Sequence, residues 1–142
     1  MSITSMTIHA NFTAPSSATD PGRWSFDIDP ITAQPGIEYQ LHYMLTAPAG
    51  WRFQAVTLRR TDVPESQQAA MTVQPGFTSA SEDFGWAQAS VFAFTGDMFD
   101  LHITNTNRTG SQITLGMSLT VGNGTMLRTS QDPQVVVPPT EG

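Results

Sequence analysis

Hydrophobic side chains occupy every second position over residues 37–45, which is the most regular pattern in this sequence. The apolar positions are Ile37, Tyr39, Leu41, Tyr43 and Leu45. A period of two predicts a β-strand with one buried face and one solvated face. Residues 47–50, Ala-Pro-Ala-Gly, then carry turn chemistry, and a second apolar run begins at Trp51.

The second run changes parity in its middle. Trp51 and Phe53 lie on one parity, whereas Val56 and Leu58 lie on the other. A regular strand would turn one of these pairs toward water, so the slip predicts a β-bulge near residues 54–55. We interpret residues 36–60 as the central hairpin of a β-sandwich.

Alternation recurs along the rest of the chain. It is clearest at residues 6–12, 24–28, 99–103 and 113–121, and the last two runs are expected to form a second hairpin. Shorter strands are predicted at residues 71–73, 90–94 and 125–129, and a polar loop at residues 79–85. These runs predict an all-β fold with little helix.

The predicted architecture is a single antiparallel β-sandwich, Ig-like or jelly-roll-like, with about seven to nine strands. A chain of 142 residues is expected to form one domain, here spanning residues 1–142. Residues from about 130 to 142 are expected to form an extended C-terminal tail, because the last valines are followed by Pro138-Pro139.

Composition narrows the classes of function. The formal net charge is −6 and the chain contains no lysine, which argues against binding to nucleic acid or to anionic membranes. It contains no cysteine, so disulfides and thiolate chemistry are excluded. No stretch is long and apolar enough to span a membrane, and no signal peptide is visible, so a cytoplasmic location is expected.

Three histidines are the candidate metal ligands. His9, His42 and His102 each lie on the polar parity of a predicted strand. If those strands are neighbours, three imidazoles meet on one solvated face, which is enough for an open zinc or copper site. The alternative is that polar side chains simply occupy polar faces. No catalytic motif and no cofactor-binding motif accompanies them, so we expect a protein without a cofactor and without enzymatic activity.

Aromatic side chains are the second lead. Trp24, Trp51 and Phe53 lie on apolar parities and are expected to pack in the core. A further group lies in a stretch with little periodicity, and its members are Phe77, Phe84 and Trp86. On a loop, such rings stack on sugars or anchor a protein contact, whereas the alternative is that they cap one end of the sandwich.

Three segments resemble the DP-EP family of small bacterial proteins of unknown function. They are Asp29-Pro30-Ile31-Thr32 leading to Tyr39-Gln40-Leu41, then Gly50-Trp51-x-Phe53, and finally Ser130-Gln131-Asp132-Pro133-Gln134-Val135. The chain has Gln134 where the family pattern has glutamate. The resemblance implies a compact β-sandwich, and it implies no activity and no functional residue.

The leading functional hypothesis is a protein–protein binding or assembly module, and a homo-oligomer or a protein partner is expected. In this hypothesis Val135–Val137 adds to the sheet of a neighbouring molecule. The first alternative is a carbohydrate-binding module that uses the loop aromatics. The second alternative is a metal-dependent enzyme that uses the three histidines.

Overall fold

The computed structural model describes residues 2–64, 68, 70–76 and 79–140. Within these ranges the chain forms twelve strands and no helix, and therefore no helix capable of crossing a membrane. In chain order the strands are β1 (Ser2–Thr13), β2 (Arg23–Phe26), β3 (Ile31–Thr32), β4 (Ile37–Thr46), β5 (Arg52–Arg60), β6 (Ala70–Val73), β7 (Ser79–Asp83), β8 (Ala87–Phe92), β9 (Met98–Asn105), β10 (Ile113–Gly122), β11 (Leu127–Thr129) and β12 (Gln134–Val137).

The strands pair into two sheets. The first sheet has the order β2-β1-β4-β9-β8-β7, and the second has the order β3-β12-β10-β5-β6 with β11 beside the end of β10. The pairs β1–β4 and β12–β3 are parallel, and the other pairs of the two sheets are antiparallel. The all-β sandwich is thus confirmed. The predicted strand count was too low, because strands of two to five residues at sheet margins carry little periodicity. The purely antiparallel arrangement was wrong, because alternation does not report the direction of the neighbouring strand.

The two predicted hairpins do not exist as hairpins. β4 lies in the first sheet and pairs with β9, whereas β5 lies in the second sheet and pairs with β10. The turn at residues 47–50 therefore carries the chain from one sheet to the other. Alternation reports which face of a strand is buried, but it does not report which strand lies beside it.

The predicted bulge is confirmed. Ala55 lies opposite Thr120 and Phe53 lies opposite Val121, so Gln54 is the extra residue on β5. The extra residue lets both Phe53 and Val56 face the core, where they are 1% and 0% exposed. A bulge changes the parity of a strand at the cost of one unpaired position in the ladder.

The core lies between the inner faces of the two sheets. Phe53 of β5 packs edge-on against Phe99 of β9 with 5.4 Å between ring centroids, which joins the two layers. Tyr43 stacks on the same Phe99 ring at 5.0 Å. Trp51 is also buried, and the half-buried Trp24 packs against the core through Phe12. The prediction that Trp24, Trp51 and Phe53 are packing residues is confirmed.

Residues 79–85 were predicted to be a loop, and most of them form β7 instead. β7 pairs with β8 at the margin of the first sheet, with Ser81 opposite Ser90. Four of its five residues, among them Glu82 and Asp83, are exposed and polar or charged, and they lie on both parities. A strand that packs little surface has no reason to alternate, so its sequence reads as a loop.

The segment from residue 130 is extended as predicted, but part of it is an internal strand. β12 pairs with β10 on one side and with β3 on the other. Two buried asparagines hold its end: Asn107 donates to the carbonyl of Val137 at 2.9 Å, and Asn105 donates to the carbonyl of Pro138 at 2.8 Å. β12 is thus paired on both sides by strands of its own chain. The predicted addition of Val135–Val137 to a neighbouring sheet was therefore wrong.

Candidate functional site

The three histidines lie on three adjacent strands of the first sheet. His9 is on β1, His42 on β4 and His102 on β9, and all three side chains lie on the outer face. In the register, His42 is beside Thr7 on one side and Asp100 on the other. The condition stated for these residues, that their strands are neighbours, is met.

His42 and Asp100 form a pair at the centre of this face. The Nδ1 atom of His42 hydrogen-bonds to Oδ1 of Asp100, and the two side chains are 31% and 29% exposed. The carboxylate engages Nδ1 and so fixes the orientation of the ring, and Nε2 of His42 takes no part in this hydrogen bond. An oriented imidazole beside a carboxylate accepts or donates a hydrogen bond with a defined geometry.

A groove surrounds this pair, and we call it the outer-face groove. It has a volume of about 260 Å³, and its lining residues are Ser5, Met6, Thr7, Gln40, His42, Asp100 and His102. The β1 residues line one side of the groove, and the residues of β4 and β9 line the rest. Gln40 is held there by neighbours, since Ser5 lies 3.5 Å from its Oε1 atom and Glu38 lies 3.3 Å from its Nε2 atom.

His102 is positioned from the far side of the groove. The ring of Phe92 on β8 packs edge-on against the imidazole at 4.3 Å between centroids. In the register, His102 lies opposite Gln40 on β4 and Ser90 on β8. Neighbouring side chains therefore orient Gln40, His42 and His102 in the groove.

His9 makes a separate pair with Asp27, just beyond the end of β2. Its Nδ1 atom lies 2.5 Å from Oδ2 of Asp27, and its backbone N–H donates to the same oxygen at 3.0 Å. These hydrogen bonds, the side-chain bond first, lower the pKa of the Asp27 carboxyl from its ordinary value. His9 lies beside Met44 in the register and does not line the outer-face groove.

The histidines share a face without forming a metal centre. Within the described ranges, no group of three or more histidine, aspartate or glutamate side chains is arranged to hold a metal ion. His9 and His42 each have Nδ1 engaged by a different carboxylate. The geometry gives no support to a metal-dependent reaction at these residues.

Of the three loop aromatics, the two that the structure describes do not form an exposed platform. Trp86 is 7% exposed and belongs to the core, and Phe84 stacks on it at 5.1 Å with the planes nearly parallel. Phe77 lies outside the described residues. For Phe84 and Trp86 the geometry matches the alternative that they cap one end of the sandwich.

A second feature of the first sheet is the margin of β1, which we call the open edge and define as the side of residues 2–8 facing away from β4. β2 covers β1 only from Ala10 to Thr13, with one further backbone bond from Asp27 to His9. Among the residues that the structure describes, none pairs with residues 2–8 on that side. The open edge is seven residues long.

The direction of the backbone groups follows from the neighbouring contacts. The C=O of His9 accepts a bond from Asp27 and its N–H donates to Asp27, so His9 directs both groups away from β4. Alternate residues of a strand direct their backbone groups to the same side. The N–H and C=O groups of Ile3, Ser5 and Thr7 therefore point outward along the open edge.

The other sheet margins carry features that discourage pairing. β7 ends in Glu82 and Asp83, β2 begins with Arg23, and β3 and β6 have two and four residues. Charge and short length are the usual ways in which proteins protect a sheet edge. Residues 2–8 contain no charged side chain and no proline, and Ile3 is 60% exposed.

Sequence reasoning missed several residues of both features. It identified His42 and His102, but it did not join them to Asp100, Gln40 or Thr7, because parity assigns a face and not a neighbour. It assigned Ile3 to no strand, because this isolated apolar residue precedes the regular alternation of β1. A covariation signal between β4 and β9 would have paired His42 with Asp100.

The chain was also compared with known proteins. No protein-family model matches it, and a search of curated proteins finds no significant match. The similarity to the DP-EP family therefore stays a prediction from the sequence.

Proposed function

We propose that the protein is a non-catalytic assembly module that associates with a second copy of itself through β1. The observation that carries the proposal is the open edge: seven uncharged residues whose outward N–H and C=O groups have no pairing strand in the described part of the chain. Exposed edges of this kind pair readily with another strand.

The proposed pairing is antiparallel and centred on Ser5, the midpoint of residues 2–8. Ser5 then faces its own equivalent across a twofold axis, and Ile3 faces Thr7 of the second copy. Each of these residue pairs exchanges two backbone hydrogen bonds, because Ile3, Ser5 and Thr7 all direct their groups outward. The result is one continuous sheet through both molecules.

The side chains favour self-pairing over pairing with an arbitrary strand. Ile3 and Thr7 are both β-branched and lie directly opposite each other on the outer face, and such cross-strand pairs stabilise sheets. On the other face, Thr4 lies opposite the half-buried Met6 of the second copy. No charged side chain is brought against another charge along the open edge.

The assembly closes as a dimer. A twofold contact uses the same strand of both molecules, so neither β1 is left to recruit a third copy. The far margin of the first sheet is β7, whose Glu82 and Asp83 oppose further pairing in either molecule.

Sedimentation equilibrium of the full chain tests the proposal. We expect a dimer whose population rises with concentration between about 1 and 300 µM. Ser5→Pro removes an outward N–H without touching the ladder to β4, and an edge strand tolerates proline at such a position. This variant is expected to remain monomeric over the same range.

Ser81→Pro is the matched control on the opposite margin. The N–H of Phe84 donates to Ala87 of the neighbouring strand, so the alternate residue Ser81 directs its N–H outward as Ser5 does. The control is expected to dimerise like the parent chain. A monomeric parent chain at about 300 µM, or dimerisation by Ser5→Pro equal to that of Ser81→Pro, would contradict the proposal.

A further inference from the structure

We propose that the outer-face groove binds a neutral saccharide. The inference is separate from the proposed assembly, since it depends on side chains of the outer face, mainly those of β4 and β9, whereas the assembly depends on the backbone groups of the open edge. It also differs from a site on the loop aromatics, where Trp86 is buried.

The volume of the outer-face groove suits a small ligand. Pockets for drug-sized ligands occupy roughly 300–1,000 Å³. The outer-face groove has about 260 Å³ and is open to solvent along the sheet, so it suits a ligand of about one sugar ring with further units extending outside.

The charge and polarity of the groove disfavour anions, metal ions and apolar ligands. Anions are disfavoured because Asp100 lines the groove, Glu38 lies beside it and the whole chain carries a net charge of −6. A metal ion is disfavoured because the Asp100 carboxylate already accepts from His42, and the described residues hold no three-ligand cluster. An apolar ligand would strip water from polar groups without replacing their hydrogen bonds.

Hydrogen-bonding capacity points to hydroxyl groups. Each sugar hydroxyl donates one hydrogen bond and accepts others, so it needs both kinds of partner close together. Gln40 supplies an amide with both functions, Asp100 has a second carboxylate oxygen, and His42 has Nε2. Ser5 and Thr7 add hydroxyls on the β1 side of the groove.

Preorganisation supports the same ligand class. The Asp100 contact orients His42, and the Phe92 ring holds His102 edge-on at 4.3 Å. Gln40 is held between Ser5 and Glu38. Side chains that are already ordered lose less rotational freedom on binding, which matters for a ligand with weak individual contacts.

The test uses four neutral probes, namely cellotetraose, maltotetraose, mannotetraose and tetra-N-acetylchitotetraose. Each is titrated into the isotope-labelled full chain and followed by amide chemical shifts and calorimetry. We expect at least one probe to bind with a dissociation constant of about 1 mM or tighter, with shifts concentrated on β4 and β9.

Two variants locate the site, and one matched variant controls for the loss of a glutamine. Gln40→Ala is expected to weaken binding by at least about tenfold, because it removes both a donor and an acceptor. Asp100→Asn keeps the shape of the side chain and is expected to weaken binding similarly. Gln88→Ala changes an exposed glutamine of the same sheet outside the groove and is expected to leave binding unchanged.

Two results would overturn the inference. One is the absence of binding by all four probes at about 10 mM, a concentration at which even weak saccharide sites are occupied. The other is equal binding by the Gln40→Ala, Asp100→Asn and Gln88→Ala proteins. Ile3→Pro also removes an outward N–H of the open edge, and Ile3 does not line the groove. This variant is expected to be monomeric and still to show the shifts on β4 and β9, which separates this inference from the assembly.

Discussion

β1 and β12 are the first and last strands of the chain, and they differ in how they are enclosed. Neither contains aspartate, glutamate, lysine or arginine, and both contain β-branched residues. β12 has a neighbour on each side, whereas residues 2–8 of β1 have one neighbour, β4, among the described residues. Availability for pairing is thus a property of topology, and strand composition alone predicts it poorly.

The enclosure of β12 depends on buried polar groups. Asn107 is fully buried and donates to the carbonyls of Val137 and Ser111 at 2.9 and 2.8 Å. Its Oδ1 atom accepts from the N–H and the hydroxyl of Thr109. We call these hydrogen bonds of Asn107 the clamp. No comparable set of buried hydrogen bonds exists on β1 in the described structure, where Asp27 bonds only to His9.

The largest expected effect comes from breaking that clamp. Asn107→Ala leaves buried carbonyls without their donor and is expected to lower the free energy of unfolding by about 3 kcal/mol. Asn123→Ala removes similar turn bonds at a more exposed position and is expected to cost about 1 kcal/mol. Urea denaturation of both variants checks this. Equal losses of unfolding free energy would show that the buried Asn107 bonds contribute no more than exposed turn bonds.

The next prediction makes β7 resemble β1. Replacing Glu82 by Gln and Asp83 by Asn removes two charges and keeps the turn bond in which Gly85 donates to residue 83. An uncharged second margin allows dimers to join end to end, so species larger than dimers are expected at about 100 µM. Light scattering detects them, and their absence would show that length rather than charge protects β7.

A smaller effect is expected from the side chains of the open edge. Ile3→Ala removes the proposed contact with Thr7 of the second copy and is expected to weaken the dimer by up to about fivefold, or about 1 kcal/mol. Leu127→Ala is the matched control, since Leu127 is 63% exposed and lies on β11. Sedimentation equilibrium compares them, and equal dissociation constants would remove Ile3 from the interface.

The smallest effect concerns pH. Hydrogen bonds from His9 lower the folded-state pKa of Asp27, so the ionised carboxylate stabilises the fold above its unfolded pKa, about 3.9. That contribution is lost as the pH falls through the lower folded pKa. Asp27→Asn should therefore show a shallower fall in melting temperature than the parent chain between about pH 5 and pH 2. Parallel curves would show that the pair contributes nothing to stability.

Much of the fold was predictable because the long strands bury one face. The alternation of β4 and the bulge at Gln54 both followed from parity, since a misplaced residue there would put an apolar side chain in water. The strand neighbours were not predictable in this way. The two apparent hairpins crossed between sheets, and β7 read as a loop because it packs little apolar surface.

The candidate site was predictable only in part, for the same reason. Parity placed His42 and His102 on a solvated face, but the pairing of β4 with β9 brought Asp100 to His42. The open edge was not predictable from the sequence pattern, because it depends on where the pairing of β2 with β1 ends. Such features come from contacts between distant parts of the chain, which local patterns do not encode.

Disulfide cross-linking at position 5 reports directly on the proposed pairing of β1 with β1 of a second copy. The chain has no cysteine, so Ser5→Cys introduces a single thiol. In the proposed pairing, position 5 faces its equivalent as a hydrogen-bonded pair, with Cα atoms about 5.5 Å apart, which suits a disulfide. Under mild oxidation the account predicts a covalent dimer for Ser5→Cys and little for Ser81→Cys. Equal, slow cross-linking of the two variants would contradict it.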